Sequence, residues 1–82
     1  NYCYLVAENI LNTENINPNI LQPLIEYTAQ KNAQKNPKLN QTGPARRNDK
    51  VTMQKHLDLL NNKNYKKIYK LLSQSIIEEY EK

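Results

Sequence analysis

The sequence predicts an all-α fold of four helices. Apolar residues recur at helical spacing in four segments, and no segment alternates with period two over strand length. Asn, Asp and Pro stand where several of those segments begin, as helix starts require. At 82 residues, 38% of them hydrophobic and none of them Trp or Phe, the chain is one domain at most. A core of that size is marginal without a staple or a partner.

The first helix covers Asn1 to Asn12, where Cys3, Val6, Ala7 and Ile10 share a face flanked by Tyr2 and Leu5. Asn12, Thr13, Glu14 and Asn15 break that pattern and give a turn. The second helix starts near Asn17-Pro18-Asn19, with Asn as cap and Pro at a first helical position. Leu21, Leu24, Ile25 and Thr28 continue its face. Pro23 sits badly in a helix interior, so either the helix begins close to it or it bends there. The helix ends by Asn36, because Pro37 disfavours a helical residue before it. Residues 37–49 read as an irregular loop with two of the four prolines, the single glycine and both arginines. Asn48 or Asp49 caps the third helix, Lys50 to Leu60, and Asn61-Asn62 ends it. The fourth helix, about Asn64 to Tyr80, has the cleanest stripe: Tyr65, Ile68, Tyr69, Leu72, Ile76 and Tyr80. Leu24, Leu57, Leu60, Ile68, Leu72 and Ile76 are the expected core.

Composition excludes several function classes. One histidine and one cysteine leave no zinc ligand set and no internal disulfide. A single glycine, Gly43, builds neither a Walker loop nor a GxGxxG turn, so this chain alone is expected to bind no cofactor. No apolar run approaches a membrane span, and no leader pattern opens the chain, so the expected location is cytoplasmic. The pattern is already amphipathic at Asn1, as in a fragment of something longer. No carboxylate pair or nucleophile–base pair stands out.

The charge is +4, with the basic residues bunched as Lys31, Lys35, Lys38, Arg46, Arg47 and Lys50. Arginines beside a helix start offer forked donors to a phosphate or carboxylate. The competing reading is a solvated loop whose charges only confer solubility. Nucleic-acid binding is disfavoured because aromatic residues do not interleave with the basic ones. Lys63, Lys66, Lys67 and Lys70 could lay the fourth helix on a membrane surface, but its glutamates oppose that, and its tyrosines are more simply core with hydroxyls at the rim. His56 borders an apolar face, where a half-buried structural histidine competes with a catalytic one that needs an orienting partner.

The stretch Thr42-Gly43-Pro44-Ala45-Arg46-Arg47-Asn48-Asp49, followed by His56-Leu57, resembles the C-terminal helical domain of Rossmann-like NADP oxidoreductases related to pyrroline-5-carboxylate reductase. Members of that family commonly read Thr-Gly-Pro, two variable residues, Arg-Gly-Asp, and then a His-Leu pair. Leu21-Gln22-Pro23-Leu24-Ile25 is similar to the family's second helix, and the likeness runs from Tyr4 to Tyr80. The sequence departs at Asn48, where the family usually has Gly. Asn best tolerates a left-handed backbone among other residues, so the turn can survive.

The resemblance implies a four-helix domain of the 6-phosphogluconate dehydrogenase C-terminal type. Such a domain pairs subunits as a homodimer and covers the nicotinamide end of a Rossmann domain in the same parent chain. Residues 1–82 are then a single helical domain lacking its N-terminal Rossmann domain, and NADP is implied for the parent. The resemblance places Thr42, Gly43, Pro44 and Arg47 at the substrate, with Asp49 and His56 as further candidates. Arg46, at a variable family position, is expected to be the more solvated arginine. The resemblance supplies neither the substrate nor the catalytic residues. The alternative is a freestanding helical module that binds an acidic partner through loop 37–49.

Overall fold

The computed structural model describes residues 1–81. Among them every regular element is helical, in five α-helices and one 3-10 turn. The helices are α1 (Tyr2–Thr13), α2 (Gln22–Gln34), α3 (Pro37–Asn40), α4 (Lys50–Leu59) and α5 (Lys63–Glu81), with the 3-10 turn at Pro18–Leu21 before α2. The all-α expectation holds, whereas four helices become five. The chain divides into two compact units, Asn1–Asn40 and Gln41–Lys82.

In the first unit α1 closes with Asn15 in the left-handed region, at φ 58°. The Asn15 N–H donates to the Asn12 carbonyl at 3.1 Å and the Ile16 N–H to that of Leu11 at 2.9 Å. This crossed pair satisfies carbonyls that a helix end otherwise leaves bare. Asn17 then accepts from the Asn19 N–H at 2.9 Å and starts the 3-10 turn, with Pro18 in its first position. Only at Gln22 does α2 begin, which resolves the position of Pro23. It falls in the first turn, where its missing N–H has no intrahelical acceptor to lose.

Residues 37–49 are less irregular than expected, because Pro37–Asn40 forms the short α3. Asn36 accepts from the Lys38 N–H at 2.8 Å, so Asn36-Pro37 repeats the capping chemistry of Asn17-Pro18. The Asn40 amide ties this turn to α2, donating to the Lys31 carbonyl at 3.1 Å and to the Asn32 side chain at 3.0 Å.

In the second unit Asn62 accepts from the N–H groups of Asn64, at 2.8 Å, and Tyr65, at 3.2 Å, so it begins α5 rather than merely ending α4. The expected core is corrected here. Among the described residues only Ala45, at 7% exposure, and Met53, at 8%, are buried, while Leu24 is 59% and Leu72 49% exposed. Leu57, Leu60, Ile68 and Ile76 are half-buried. Tyr65, Tyr69, Ser73, Ile76 and Tyr80 line the more enclosed face of α5, with Leu72 on its edge. A periodic stripe names the inward side of a helix, but units this small lack the layers to enclose it.

Candidate functional site

The loop before α4 is wound by its own backbone. Gly43 takes φ 100°, which side chains resist, and the carbonyls of Gly43, Pro44 and Ala45 accept from Arg47, Asp49 and Asn48 at 3.4, 2.8 and 3.1 Å. Asn48 ends this short winding at φ 54°. The bonding from Asn48 and Asp49 repeats the crossed pattern at Asn15, so asparagine serves the left-handed position twice. The expected tolerance of Asn at position 48 is met by this geometry.

Asp49 leaves the winding and caps α4. Its carboxylate accepts from the Thr52 N–H at 3.1 Å and from the Thr52 hydroxyl at 2.7 Å. The Thr52 hydroxyl and N–H hold the Asp49 carboxyl below the ordinary value of 3.8, partly offset by desolvation, with lesser help from the Arg47 guanidinium. A lowered carboxyl stabilises the fold above the unfolded pKa, and that contribution vanishes as pH falls through the folded value. Asp49→Asn keeps a capping oxygen and loses the charge. Its melting temperature is therefore expected below wild type at neutral pH, with the gap closing below pH 3.8. A gap that is independent of pH contradicts the assignment.

Arg47 lies 3.6 Å from the Asp49 carboxylate, with its side chain 61% exposed. So long and wet an ion pair contributes little and leaves most of the guanidinium fork open. The helix N-terminus itself is occupied by Asp49, so an anion arriving here meets Arg47 rather than bare N–H groups. Arg46 is exposed, yet its guanidinium lies over the Tyr80 ring, 4.2 Å from the centroid. This contact pins the loop to the end of α5. A double-mutant cycle of Arg46→Ala and Tyr80→Leu is expected to show about 0.5–1 kcal/mol of coupling, the range for an exposed cation–π pair. Additive losses would remove the contact from the account.

His56 is exposed, and its Nδ1 lies 2.7 Å from the Tyr69 hydroxyl, with the rings edge to face. The orienting partner that a lone histidine lacks in the sequence is therefore Tyr69, on α5. Burial raises the Tyr69 phenol above 10.0, partly offset by a hydrogen bond from Ser73.

Thr42, Gly43, Pro44, Arg47 and Asp49 thus share one loop, with Thr42 exposed and Gly43 and Pro44 half-buried. His56 does not join them, since seven residues of helix at 1.5 Å each set it about 10 Å along α4 from Asp49. Missed by sequence reasoning are Tyr69, the Arg46–Tyr80 stack and an apolar groove in the first unit. That groove, about 270 Å³, is lined by Tyr4, Ala7, Leu21, Leu24, Ile25 and Thr28. The Thr28 hydroxyl donates to the Leu24 carbonyl at 2.8 Å. Among the described residues no helix is long and apolar enough to cross a membrane, and no cluster of His, Cys, Asp and Glu is placed to hold a metal ion.

Residues 1–76 match the family described as "Domain of unknown function (DUF2520)", a stretch that spans both units. A crystal structure of a "putative NADP oxidoreductase" from Bacteroides fragilis is 37% identical to this chain, covers 94% of it and superposes with a TM-score of 0.89. The chain spans 30% of the length of that protein. No curated protein matches this chain.

Proposed function

Since the chain belongs to the DUF2520 family, we propose that it is the C-terminal dimerisation and substrate-covering domain of an NADP-dependent oxidoreductase. The observation that carries the reading is the likeness to the Bacteroides protein, in which a chain of this fold is less than a third of a larger oxidoreductase. The two units act together as one helical domain, of the 6-phosphogluconate dehydrogenase C-terminal type and akin to that of pyrroline-5-carboxylate reductase. A Rossmann domain in the same parent, working in the cytoplasm, supplies the NADP site. Thr42, Gly43, Pro44 and Arg47 face the substrate or the cofactor phosphate, with Arg47 as the charged donor.

Dimerisation is supported by exposed apolar surface. In the first unit Tyr2, Tyr4, Ile20, Leu24 and Tyr27 are each more than half exposed, and no residue is fully buried. Apolar area on that scale is stable in water when a second surface covers it. A two-fold pair, in which the same patch meets itself, closes it without leaving an open end.

Two measurements on the chain itself test this reading. Sedimentation equilibrium is expected to show a dimer at high micromolar concentration, and a clean monomer there contradicts it. Calorimetric titration with NADPH is expected to show no low-micromolar binding, because the pyrophosphate needs a glycine-rich turn at a helix N-terminus. Tight binding would mean that this chain carries the cofactor site itself.

A further inference from the structure

The contact between His56 and Tyr69 is not used by the loop at residues 42–49, and it joins two helices through polar groups at an exposed surface. Its direction follows from the partners. A phenol O–H is a stronger donor than its oxygen is an acceptor, and an imidazole nitrogen is the stronger acceptor of the pair. With the phenol O–H donating to Nδ1 across the 2.7 Å contact, the imidazole proton sits on Nε2. That N–H has an exposed side chain behind it and a ring orientation fixed from the opposite edge.

The two helices that carry His56 and Tyr69 are basic in this stretch. From Lys50 to Lys70 the chain carries six lysines against the single carboxylate of Asp58, which accepts from Gln54 at 2.8 Å. Fixed donors in a positive field favour an anionic oxygen.

We propose that His56 is a ligand-binding residue which donates Nε2–H to an anionic oxygen, carboxylate or phosphate, with Tyr69 as the residue that positions it. The proposal rests on the reading of this domain as substrate-covering, and it names an acidic group as part of what is covered. Ser73 supports Tyr69 from the next turn of α5.

His56 is the chain's single histidine, so nuclear magnetic resonance of the 15N-histidine-labelled chain reads this ring alone. Above neutral pH the wild-type ring is expected to carry its proton on Nε2, with Nδ1 showing the acceptor signature. Tyr69→Phe is expected to give a mixture of tautomers, and Ser73→Ala provides a milder second variant if Tyr69→Phe unfolds. Titration with sodium acetate and, separately, sodium phosphate is expected to move the Nε2 signal saturably with at least one of them at constant ionic strength. Sodium chloride is the control. In Tyr69→Phe the half-saturating concentration is expected to rise about fivefold, the effect of one ordinary hydrogen bond. A proton on Nδ1, or shifts no different from those in chloride, overturns the proposal. These spectra need no turnover, so failure of the oxidoreductase reading shows in NADPH kinetics and dimerisation, while failure here shows in the imidazole signals alone.

Discussion

Met53→Ala is expected to destabilise the chain by about 2–5 kcal/mol, the range for truncating a long side chain in a core. Met53 is 8% exposed and lies one turn into α4, where its N–H donates to the Asp49 carbonyl at 3.2 Å. Ala45, the other buried residue among those described, belongs to the winding that presents Arg46 and Arg47. Truncation of Met53 to Ala keeps the backbone bond to Asp49 and removes buried side-chain packing alone. Small domains are held by roughly 5–15 kcal/mol, so the loss is a large share of the total. Leu72→Ala is the contrast, because a side chain already 49% exposed leaves about 1 kcal/mol to lose. Urea unfolding with an unchanged slope reads both as midpoint shifts. Equal shifts would mean that Leu72 is covered in solution, as a dimer interface along α5 would cover it.

Much of this was legible in the sequence because it is local. The apolar spacing in α1, α4 and α5, the Asn17-Pro18 start and the Asp49 cap each involve residues within a few positions of one another. The left-handed turn at Asn48 was legible for the same reason, since only backbone sterics at that residue decide it. The short α3 carried the same signal as the 3-10 turn, Asn before Pro, but the glycine and prolines that follow made the whole segment look irregular. Leu24 and Leu72 were misjudged because periodicity gives the inward direction of a side chain and not the number of neighbours on that side. The partner of His56 lies 13 residues away on another helix, and the partner of Arg46 lies at the far end of α5. No spacing rule connects such pairs. The groove of the first unit depends on how α1 and α2 diverge, which single-helix patterns do not contain.

In the proposed full-length oxidoreductase, Arg47→Ala is expected to weaken substrate or cofactor-phosphate binding by about 1.5–3 kcal/mol, the value of a charged hydrogen bond. That is roughly 10- to 150-fold in affinity. Three observations set this expectation. The guanidinium is 61% exposed and its pairing with Asp49 at 3.6 Å is loose, so its donors are available. The loop beneath it is fixed by three backbone hydrogen bonds, so little ordering remains to oppose binding. Its neighbour Arg46 is engaged on Tyr80 and is oriented along the loop's own anchor. Arg46→Ala is therefore expected to act on stability, with an effect on binding within about 0.5 kcal/mol. The two arginines are adjacent in sequence and separate in role.

Kinetics of the proposed full-length enzyme, wild type and Arg47→Ala, measured beside their melting temperatures, test the central claim most directly. The claim is that the loop from Thr42 to Asp49 faces the substrate or the NADP phosphate. A loss of about tenfold or more in kcat/KM with an unchanged melting temperature is the result expected, since an exposed arginine with a loose partner does little for the fold. A lowered melting temperature with KM and turnover unchanged would contradict it, and would make Arg47 a stabiliser of its own loop through Asp49.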